Sequence, residues 1–128
     1  MTNATHALII DDNAVNLEVI ARLLNMEGIS CTKIQNAGEI QSTIDSPFKT
    51  DLVFLDLEMP QMDGYEAFHL LRNTLGTDIP IVACTVHINE VATVRELGFH
   101  SFIAKPLDAE RFPGQVKQIL DGQPVWEF

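Results

Sequence analysis

Apolar and polar residues follow two different periods along the chain. Four short runs are almost continuously apolar, which is typical of strands covered on both faces of a sheet. These runs are Ala7–Ile10, Leu52–Leu55, Ile81–Cys84 and Phe102–Ala104. The segments between them carry apolar residues every three or four positions, as helices do. The first such segment comprises Leu17, Ile20, Ala21 and Leu24, and it follows a candidate N-cap, Asn13. The pattern predicts alternating strands and helices.

A fifth strand completes the predicted sheet. Residues Ser30–Ile34 alternate polar with apolar positions, so we expect this second strand to lie at an edge. With right-handed connections, the edge position gives a flavodoxin-like, doubly wound α/β fold. We therefore predict a five-stranded parallel sheet in the order 2-1-3-4-5, with helices on both faces. The last helix precedes Gly122, and Pro113-Gly114 predicts that it starts late or is kinked.

Length and composition limit the organisation of the chain. With 128 residues, of which 46% are hydrophobic and 20% charged, the chain is long enough for one domain with an apolar core. We predict a domain over residues 1–122 and a C-terminal tail over 123–128. Trp126 is the only tryptophan. We expect the tail to pack on the domain, and docking to a partner is the alternative.

The net charge of −10 excludes two classes of direct partner. Nucleic acid and anionic membranes both attract positive charge, so we expect the protein to bind neither. Apolar runs are far shorter than the ~20 residues of a spanning helix, and the first residues show no secretory signal pattern. We expect a cytoplasmic protein. Cys31 and Cys84 fit no ligand spacing, and we expect both to be buried and reduced.

Polar residues that can support chemistry follow the apolar runs. Asp11 and Asp12 follow the first strand, Asp56 the third, Thr85 the fourth and Lys105 the fifth. The carboxyl ends of parallel strands meet at one edge of the sheet, where ligands bind in open α/β folds. We therefore expect these three carboxylates, a hydroxyl and an ammonium group to converge.

The charges at this edge predict a metal ion. Four acidic side chains, those of Asp11, Asp12, Asp56 and Glu58, face one lysine, Lys105. Close like charges repel by several kcal/mol at moderate dielectric. Oxygen ligands without histidine or cysteine favour Mg²⁺. One carboxylate would then be able to attack a phosphoryl group, whose oxygens Lys105 and Thr85 would contact. The predicted chemistry is an aspartyl phosphate.

These residues resemble the receiver domains of two-component response regulators over essentially the whole chain. The shared motifs, in chain order, are Asp11-Asp12-Asn13, Asp56 with the following segment Met59–Gly64, Thr85, Phe102 and Lys105-Pro106. The likeness is to single-domain, chemotaxis-regulator-like receivers. The Met1 start favours a free-standing receiver, and a receiver cut from a longer chain is the alternative.

The resemblance implies a role for each motif residue. Asp56 would accept a phosphoryl group from a histidine kinase or a histidine phosphotransfer protein, assisted by Lys105 and Thr85. Mg²⁺ would bind directly to Asp12, Asp56 and the main-chain carbonyl of Glu58, with Asp11 acting largely through a bound water. Thr85 and Phe102 would form the switch that changes a protein-binding surface.

The resemblance also implies rate-tuning positions and a usual geometry. Glu58 and His87 occupy the two positions that tune phosphate lifetime in the family. In the family, the peptide bond at the position of Lys105-Pro106 is usually cis, and the resemblance implies the same here. Lys105 follows Thr85 by 20 residues, a shorter spacing than expected, so we expect a trimmed loop before the fourth helix. A phosphorylation-linked homodimer and an unknown downstream protein are further expected partners.

Three other functions compete with this interpretation. A haloacid-dehalogenase-like phosphohydrolase needs a second aspartate where Glu58 stands, and a cap domain for which the chain has no space. A flavodoxin-like flavin carrier is disfavoured because Asp11 and Asp12 would repel the flavin phosphate. A degenerate receiver that binds partners without phosphorylation is disfavoured by the complete set of acceptor, metal and lysine positions. We therefore expect a signalling phosphoacceptor, not an enzyme with a separate substrate.

Overall fold

A single layer of parallel strands forms the centre of the computed structural model, which describes residues 5–45, 49–59 and 62–127. The sheet has six strands in the order β2-β1-β3-β4-β5-β6, and every neighbouring pair is parallel. Their bounds are β1 (His6–Ile10), β2 (Ser30–Ile34), β3 (Leu52–Asp56), β4 (Ile81–Thr85), β5 (Ser101–Ala104) and β6 (Trp126–Glu127). A two-residue antiparallel pair, Glu58–Met59 with Met62–Asp63, follows β3.

Helices cover both faces of this sheet. In the described part of the chain they are α1 (Ala14–Met26), α2 (Ile40–Ile44), α3 (Gly64–Leu75), α4 (Val91–Leu97) and α5 (Phe112–Leu120). One apolar cluster joins the sheet to α2, α3 and α4, and a second joins it to α1 and α5. Single 3₁₀ turns, Ala37–Glu39 and Ile88–Glu90, lead into α2 and α4.

The predicted doubly wound fold is confirmed, and the strand count is corrected from five to six. The additional strand β6 belongs to the predicted tail and extends the sheet beyond β5. Two residues are too few to produce a visible alternation in the sequence, so the pattern gave no sign of it. The expectation that the tail packs on the domain is confirmed. The boundary at residue 122 stays a prediction.

Local sequence explains where the first and last helices start. The side chain of Asn13 accepts hydrogen bonds from the backbone N–H groups of Val15 and Asn16, at 2.9 and 3.1 Å, and so caps α1. The late start of α5 is confirmed. The side chain of Asp108 accepts a hydrogen bond from the N–H of Glu110 at 2.9 Å, and so caps the turn that precedes α5. Pro113 then falls in the first turn of α5, where no N–H is required.

Burial follows the predicted order of strands. All five residues of β3 are buried, whereas β2 at the edge buries only Ile34. Both cysteines are free thiols, as expected, but only Cys84 is buried and Cys31 is partly exposed. The difference arises because Cys31 lies on the edge strand. Within the described ranges, no helix is both long enough and apolar enough to cross a membrane.

Candidate functional site

The carboxyl ends of the central strands bring the predicted site residues together in one crevice. Asp11 follows β1, Asp56 ends β3, Thr85 ends β4 and Lys105 follows β5. Asp11, Asp12 and Asp56 each offer a carboxylate oxygen within 4.8 Å of the others. Asp11 and Asp56 are buried, with 1% and 7% of their surfaces exposed, whereas Asp12 faces solvent. The crevice therefore holds a concentrated negative charge with one open side.

Lys105 lies between the two buried carboxylates. Its Nζ atom is 2.7 Å from Oδ2 of Asp11 and 3.6 Å from Oδ1 of Asp56. Its backbone N–H donates to the carbonyl of Thr85 at 2.9 Å, and the Lys105-Pro106 bond is cis. The lysine thus bridges the crevice, with its stronger contact to Asp11.

Backbone N–H groups orient the two buried carboxylates. Oδ1 of Asp11 accepts from the N–H of Asn13 at 2.9 Å. Oδ1 of Asp56 accepts from the N–H of Glu58 at 3.2 Å. Each bond closes a local turn directly after its strand, so the strand-end position of each aspartate fixes its side chain. The position of the Glu58 carbonyl as a metal ligand stays a prediction.

Burial controls the charge of Asp56. The pKa of its carboxyl group rises from 3.8 to about 6, chiefly because burial removes the group from water; Lys105 and the N–H of Glu58 act against this rise, and the neighbouring Asp11 adds to it. Burial acts to lower the pKa of Lys105, but its bond to Asp11 and the charge of Asp56 raise it above the usual value. The lysine therefore stays charged, and its charge favours the ionised form of Asp56.

The donor set of the crevice suits a hard divalent cation. Three carboxylates against one ammonium leave a local charge of −3 + 1 = −2, and all the candidate ligand atoms are oxygens. Mg²⁺ prefers such ligands and retains several waters, which the exposed side at Asp12 can accommodate. The residues present fit the predicted ion.

The two predicted switch residues lie in the same region. Thr85 is 1% exposed, and its Oγ1 accepts from the N–H of His87 at 3.2 Å. Phe102 is fully buried in the cluster that includes α3 and α4, three residues before Lys105. The structure places both side chains inside the protein near the crevice. Their switching role stays a prediction.

The two predicted rate-tuning residues form a short side-chain contact that the sequence analysis missed, and it is an ion pair when His87 is protonated. Nε2 of His87 is 2.6 Å from Oε1 of Glu58, and each side chain is about half exposed, at 48% and 53%. The two residues follow the ends of neighbouring strands, with Asp56 directly opposite Cys84. Hydrophobic patterning does not specify that register, so the contact could not be predicted from the sequence. Glu58 and His87 each lie two residues beyond a crevice residue, Asp56 and Thr85 respectively.

An exposed apolar rim beside the crevice was also missed. Val15 and Val19 on α1 are 70% and 46% exposed, and Val86 is 60% exposed. A groove of about 330 Å³ lies between α1 and the segment after β5, and it reaches Lys105 and Pro106. The sequence of α1 carried a sign of this rim, because Val15 and Val19 lie outside the apolar stripe that faces the core.

The loop after Asp56 packs tightly against the start of α3. A Cβ atom on Gly64 would lie 2.5 Å from the Cα of Leu57, so no side chain fits there. Asp63 caps α3 by accepting from the N–H of Tyr65 at 2.9 Å. Pro60 and Gln61 of the same motif lie outside the described residues. Glycine at this position lets the loop hold Asp56 close to the helix.

Comparison with known proteins identifies the family. Residues 7–117 match the profile of the response regulator receiver domain. The chain is 32% identical over 107 residues to the osmosensing histidine protein kinase of Saccharomyces cerevisiae, covering 78% of this chain and 9% of the kinase. It is 34% identical over 116 residues to a phosphate regulon transcriptional regulatory protein of Pseudomonas aeruginosa, covering 88% of this chain and 50% of that protein.

A solved structure agrees with these sequence relatives. A two-component response regulator from Clostridium difficile superposes with a TM-score of 0.82 at 31% identity, covering 91% of this chain and 96% of the other. The chain thus spans about half the length, or less, of the two curated relatives named above. The chain belongs to the receiver domain family of two-component response regulators, in which it is a phosphoacceptor signalling domain.

Proposed function

We propose that Asp56 is the residue that accepts the phosphoryl group. The convergence of Asp56 with Lys105 and two further aspartates carries this proposal, because the lysine Nζ is 3.6 Å from Oδ1 of Asp56 and the acidic oxygens lie within 4.8 Å. Asp12 is the more exposed carboxylate, and within the described residues Lys105 pairs with Asp11 and Asp56 instead. Asp11 is engaged by Lys105 at 2.7 Å. Asp56 is therefore best placed to act as the nucleophile.

The reaction is an in-line transfer from a phosphohistidine. An oxygen of Asp56 forms a bond to phosphorus as the nitrogen–phosphorus bond of the donor breaks, and the donor imidazole keeps the electron pair. The ammonium group of Lys105 contacts one equatorial oxygen, and the hydroxyl of Thr85 donates to another. A bound Mg²⁺, held by Asp11, Asp12, Asp56 and the carbonyl of Glu58, would supply positive charge to the remaining oxygen.

The donor is a histidine kinase or a histidine phosphotransfer protein. Receiver family membership supports this class of donor. The apolar rim of Val15, Val19 and Val86 offers such a protein a docking surface directly beside the crevice. Exposed apolar patches of this kind mark protein interaction sites on soluble domains. The net charge of −10 supports a protein partner and no nucleic acid, and the two free cysteines support a cytoplasmic location.

Phosphorylation by a small-molecule donor tests the assignment of Asp56. Intact mass is measured after acetyl phosphate is added to the wild type, with and without Mg²⁺. We expect a Mg²⁺-dependent gain of one phosphoryl group that Asp56→Asn abolishes. Asp121→Asn, which removes an exposed aspartate next to α5, serves as the control and should be labelled like the wild type. Equal labelling of Asp56→Asn would overturn the assignment, whereas no labelling of the wild type would favour a phosphate-independent interaction module.

The same assay tests the proposed rate-tuning pair. Glu58 places a negative charge at the crevice mouth and holds His87 at 2.6 Å, so Glu58→Asn removes both the repulsion and the ion pair. We expect faster phosphorylation and a changed rate of dephosphorylation, measured by the decay of the phosphorylated mass. His87→Asn removes the pair and keeps the charge of Glu58, which separates the two effects. Unchanged rates in both variants would exclude a rate-tuning role.

A homodimer through the last two helices remains a prediction of the sequence analysis. Sedimentation of the protein with and without the acyl phosphate analogue beryllofluoride checks it. The receiver family gives no support to the alternative of a phosphohydrolase.

A further inference from the structure

The C-terminal tail is anchored to β5 by backbone hydrogen bonds and by one buried side chain. The N–H of Val125 donates to Oγ of Ser101 at 2.9 Å, and its carbonyl accepts from the N–H of Phe102 at 2.8 Å. The Val125 side chain is 3% exposed and packs in the cluster that includes Phe112 and Val116 of α5. The tail is therefore packed and hydrogen-bonded as an integral part of the fold.

Two side-chain contacts attach the tail to the flanking helices. The guanidinium carbon of Arg95, in α4, lies 4.5 Å from the ring centroid of Trp126. Nη2 of Arg111, just before α5, lies 2.7 Å from Oε2 of Glu127. The tail thus contacts α4, β5 and the start of α5 together. A shift of α4, of β5 or of the start of α5 must therefore change at least one contact of the tail.

The elements that hold the tail are also connected to the crevice. Phe102 lies opposite Trp126, and the same strand runs on to Lys105. Ala104 lies opposite Thr85, and the N–H of Lys105 donates to the Thr85 carbonyl at 2.9 Å. From Thr85 the chain passes through one 3₁₀ turn into α4, which carries Arg95. The crevice and the tail are therefore linked through β5 and through α4.

The present crevice is not yet arranged to bind a phosphoryl group. Lys105 Nζ is closer to Asp11 than to Asp56, at 2.7 against 3.6 Å. The Thr85 hydroxyl oxygen accepts the N–H of His87 at 3.2 Å. A phosphoryl group on Asp56 recruits both the ammonium and the hydroxyl group. If the Thr85 side chain turns toward the phosphoryl group, its oxygen leaves the N–H of His87, and the turn that leads into α4 loses this bond.

We propose that docking of the tail strand opposes phosphoryl binding in the crevice. This inference rests on the proposed function of Asp56. The tail holds α4 and β5 in the arrangement described here, and a phosphoryl group favours another arrangement. Because coupling between two sites is reciprocal, weakening the tail strengthens binding in the crevice, and occupation of the crevice loosens the tail.

Beryllofluoride with Mg²⁺ is the probe that tests this coupling in the full chain. Its affinity is measured by ¹⁹F NMR for the wild type and for Arg95→Ala, which removes the cation–π contact and keeps Trp126. We expect about 5-fold tighter binding in Arg95→Ala, at the lower end of typical coupling. Arg22→Ala removes the same charge from α1 and should bind like the wild type. Removal of residues 123–128 should give an effect in the same direction and at least as large.

The reciprocal effect is measured at the tail itself. In the wild type, beryllofluoride should increase the quenching of Trp126 fluorescence by acrylamide and speed hydrogen exchange at the N–H of Phe102, which bonds to Val125. Normal beryllofluoride binding with no change in these signals, and equal or weaker affinity in Arg95→Ala and the truncated chain, would overturn the coupling while leaving the role of Asp56 intact. No Mg²⁺-dependent binding in any variant would overturn both.

Discussion

The acidic crevice and the C-terminal tail arrange charged residues in opposite ways. In the crevice, the buried Asp11 and Asp56 and the exposed Asp12 share one ammonium group, that of Lys105. In the tail, Glu127 has its own guanidinium partner at 2.7 Å, and Trp126 has another at 4.5 Å from its ring centroid. The crevice contains more negative charge than Lys105 can balance, whereas each of these two tail side chains has a cationic partner of its own.

This difference distinguishes the carboxylates of the crevice, which are suited to chemistry, from the side chains of the tail, which contribute to stability. Buried like charges lower the free energy of unfolding, and the cation and phosphoryl group proposed above would use them. The tail contacts need no ligand to be favourable. We therefore expect substitutions in the crevice to respond to pH and to Mg²⁺, and substitutions in the tail to respond to neither.

The largest expected effect comes from a glycine that supports the crevice. Gly64→Ala places a Cβ atom 2.5 Å from the Cα of Leu57, beside Asp56, so the backbone must move. We expect a loss of about 3 kcal/mol in the free energy of unfolding, measured with urea, and slower phosphorylation by acetyl phosphate. Gly114→Ala is the matched control in α5, near the tail, where a Cβ atom meets nothing within 4 Å. It should be neutral or stabilising by up to about 1 kcal/mol. Equal losses in both variants would contradict the tight packing of the loop.

The second effect has the opposite sign and depends on pH. The pKa of Asp56 is about 6 in the folded protein against an ordinary value of 3.8, so its ionisation favours the unfolded state as the pH rises through this window. Asp56→Asn cannot ionise. Without metal, we expect it to be more stable than the wild type by about 2 kcal/mol at pH 7.5 and by little at pH 4.

Urea unfolding in EDTA at the two pH values measures this difference. Added Mg²⁺ should stabilise the wild type at pH 7.5 more than Asp56→Asn, because the ion binds the folded state through the ionised carboxylate. The Asp121→Asn variant controls for the loss of an exposed charge. A stability difference between Asp56→Asn and the wild type that is the same at both pH values would show that burial does not raise the pKa of Asp56.

The smallest of the three effects belongs to the tail. Trp126→Ala removes a partly buried ring and its contact with Arg95, and we expect a loss of about 1 kcal/mol in the free energy of unfolding. The loss should be the same at pH 6 and pH 7.5, and with or without Mg²⁺. Trp126→Phe keeps an aromatic ring over Arg95 and should recover much of the loss. A loss in Trp126→Ala that grows when Mg²⁺ is added would remove the distinction between the two regions.

The crevice could be predicted from the sequence because each of its residues follows a strand that is itself visible as an apolar run. Asp56 and Thr85 are the last residues of β3 and β4, and Asp11 directly follows β1. Once the parallel order is known, the strand ends must meet. The sequence could not give the distances, such as the closer approach of Lys105 to Asp11 than to Asp56. Those depend on side-chain packing.

The tail strand and the Glu58–His87 pair could not be predicted in the same way. Trp126 and Glu127 form a strand only because β5 offers an unpaired edge, and two residues carry no period of their own. Glu58 and His87 come together through the register of β3 and β4, which hydrophobic patterns do not specify. Both features are contacts between distant parts of the chain, and the local sequence around neither contact predicts it.

The position of β6 has a consequence for how the protein behaves at high concentration. Without it, β5 would end the sheet with an open row of N–H and C=O groups along the apolar residues Phe102 and Ile103. Such an edge is a template for strands of other molecules, and it promotes aggregation. The tail covers this row and leaves an outer edge of only two residues, one of which is Glu127. At the opposite edge, β2 exposes Ser30 and Lys33. Both borders of the sheet are thus poor templates for aggregation, and the tail gives this protection at the border that β5 would otherwise form.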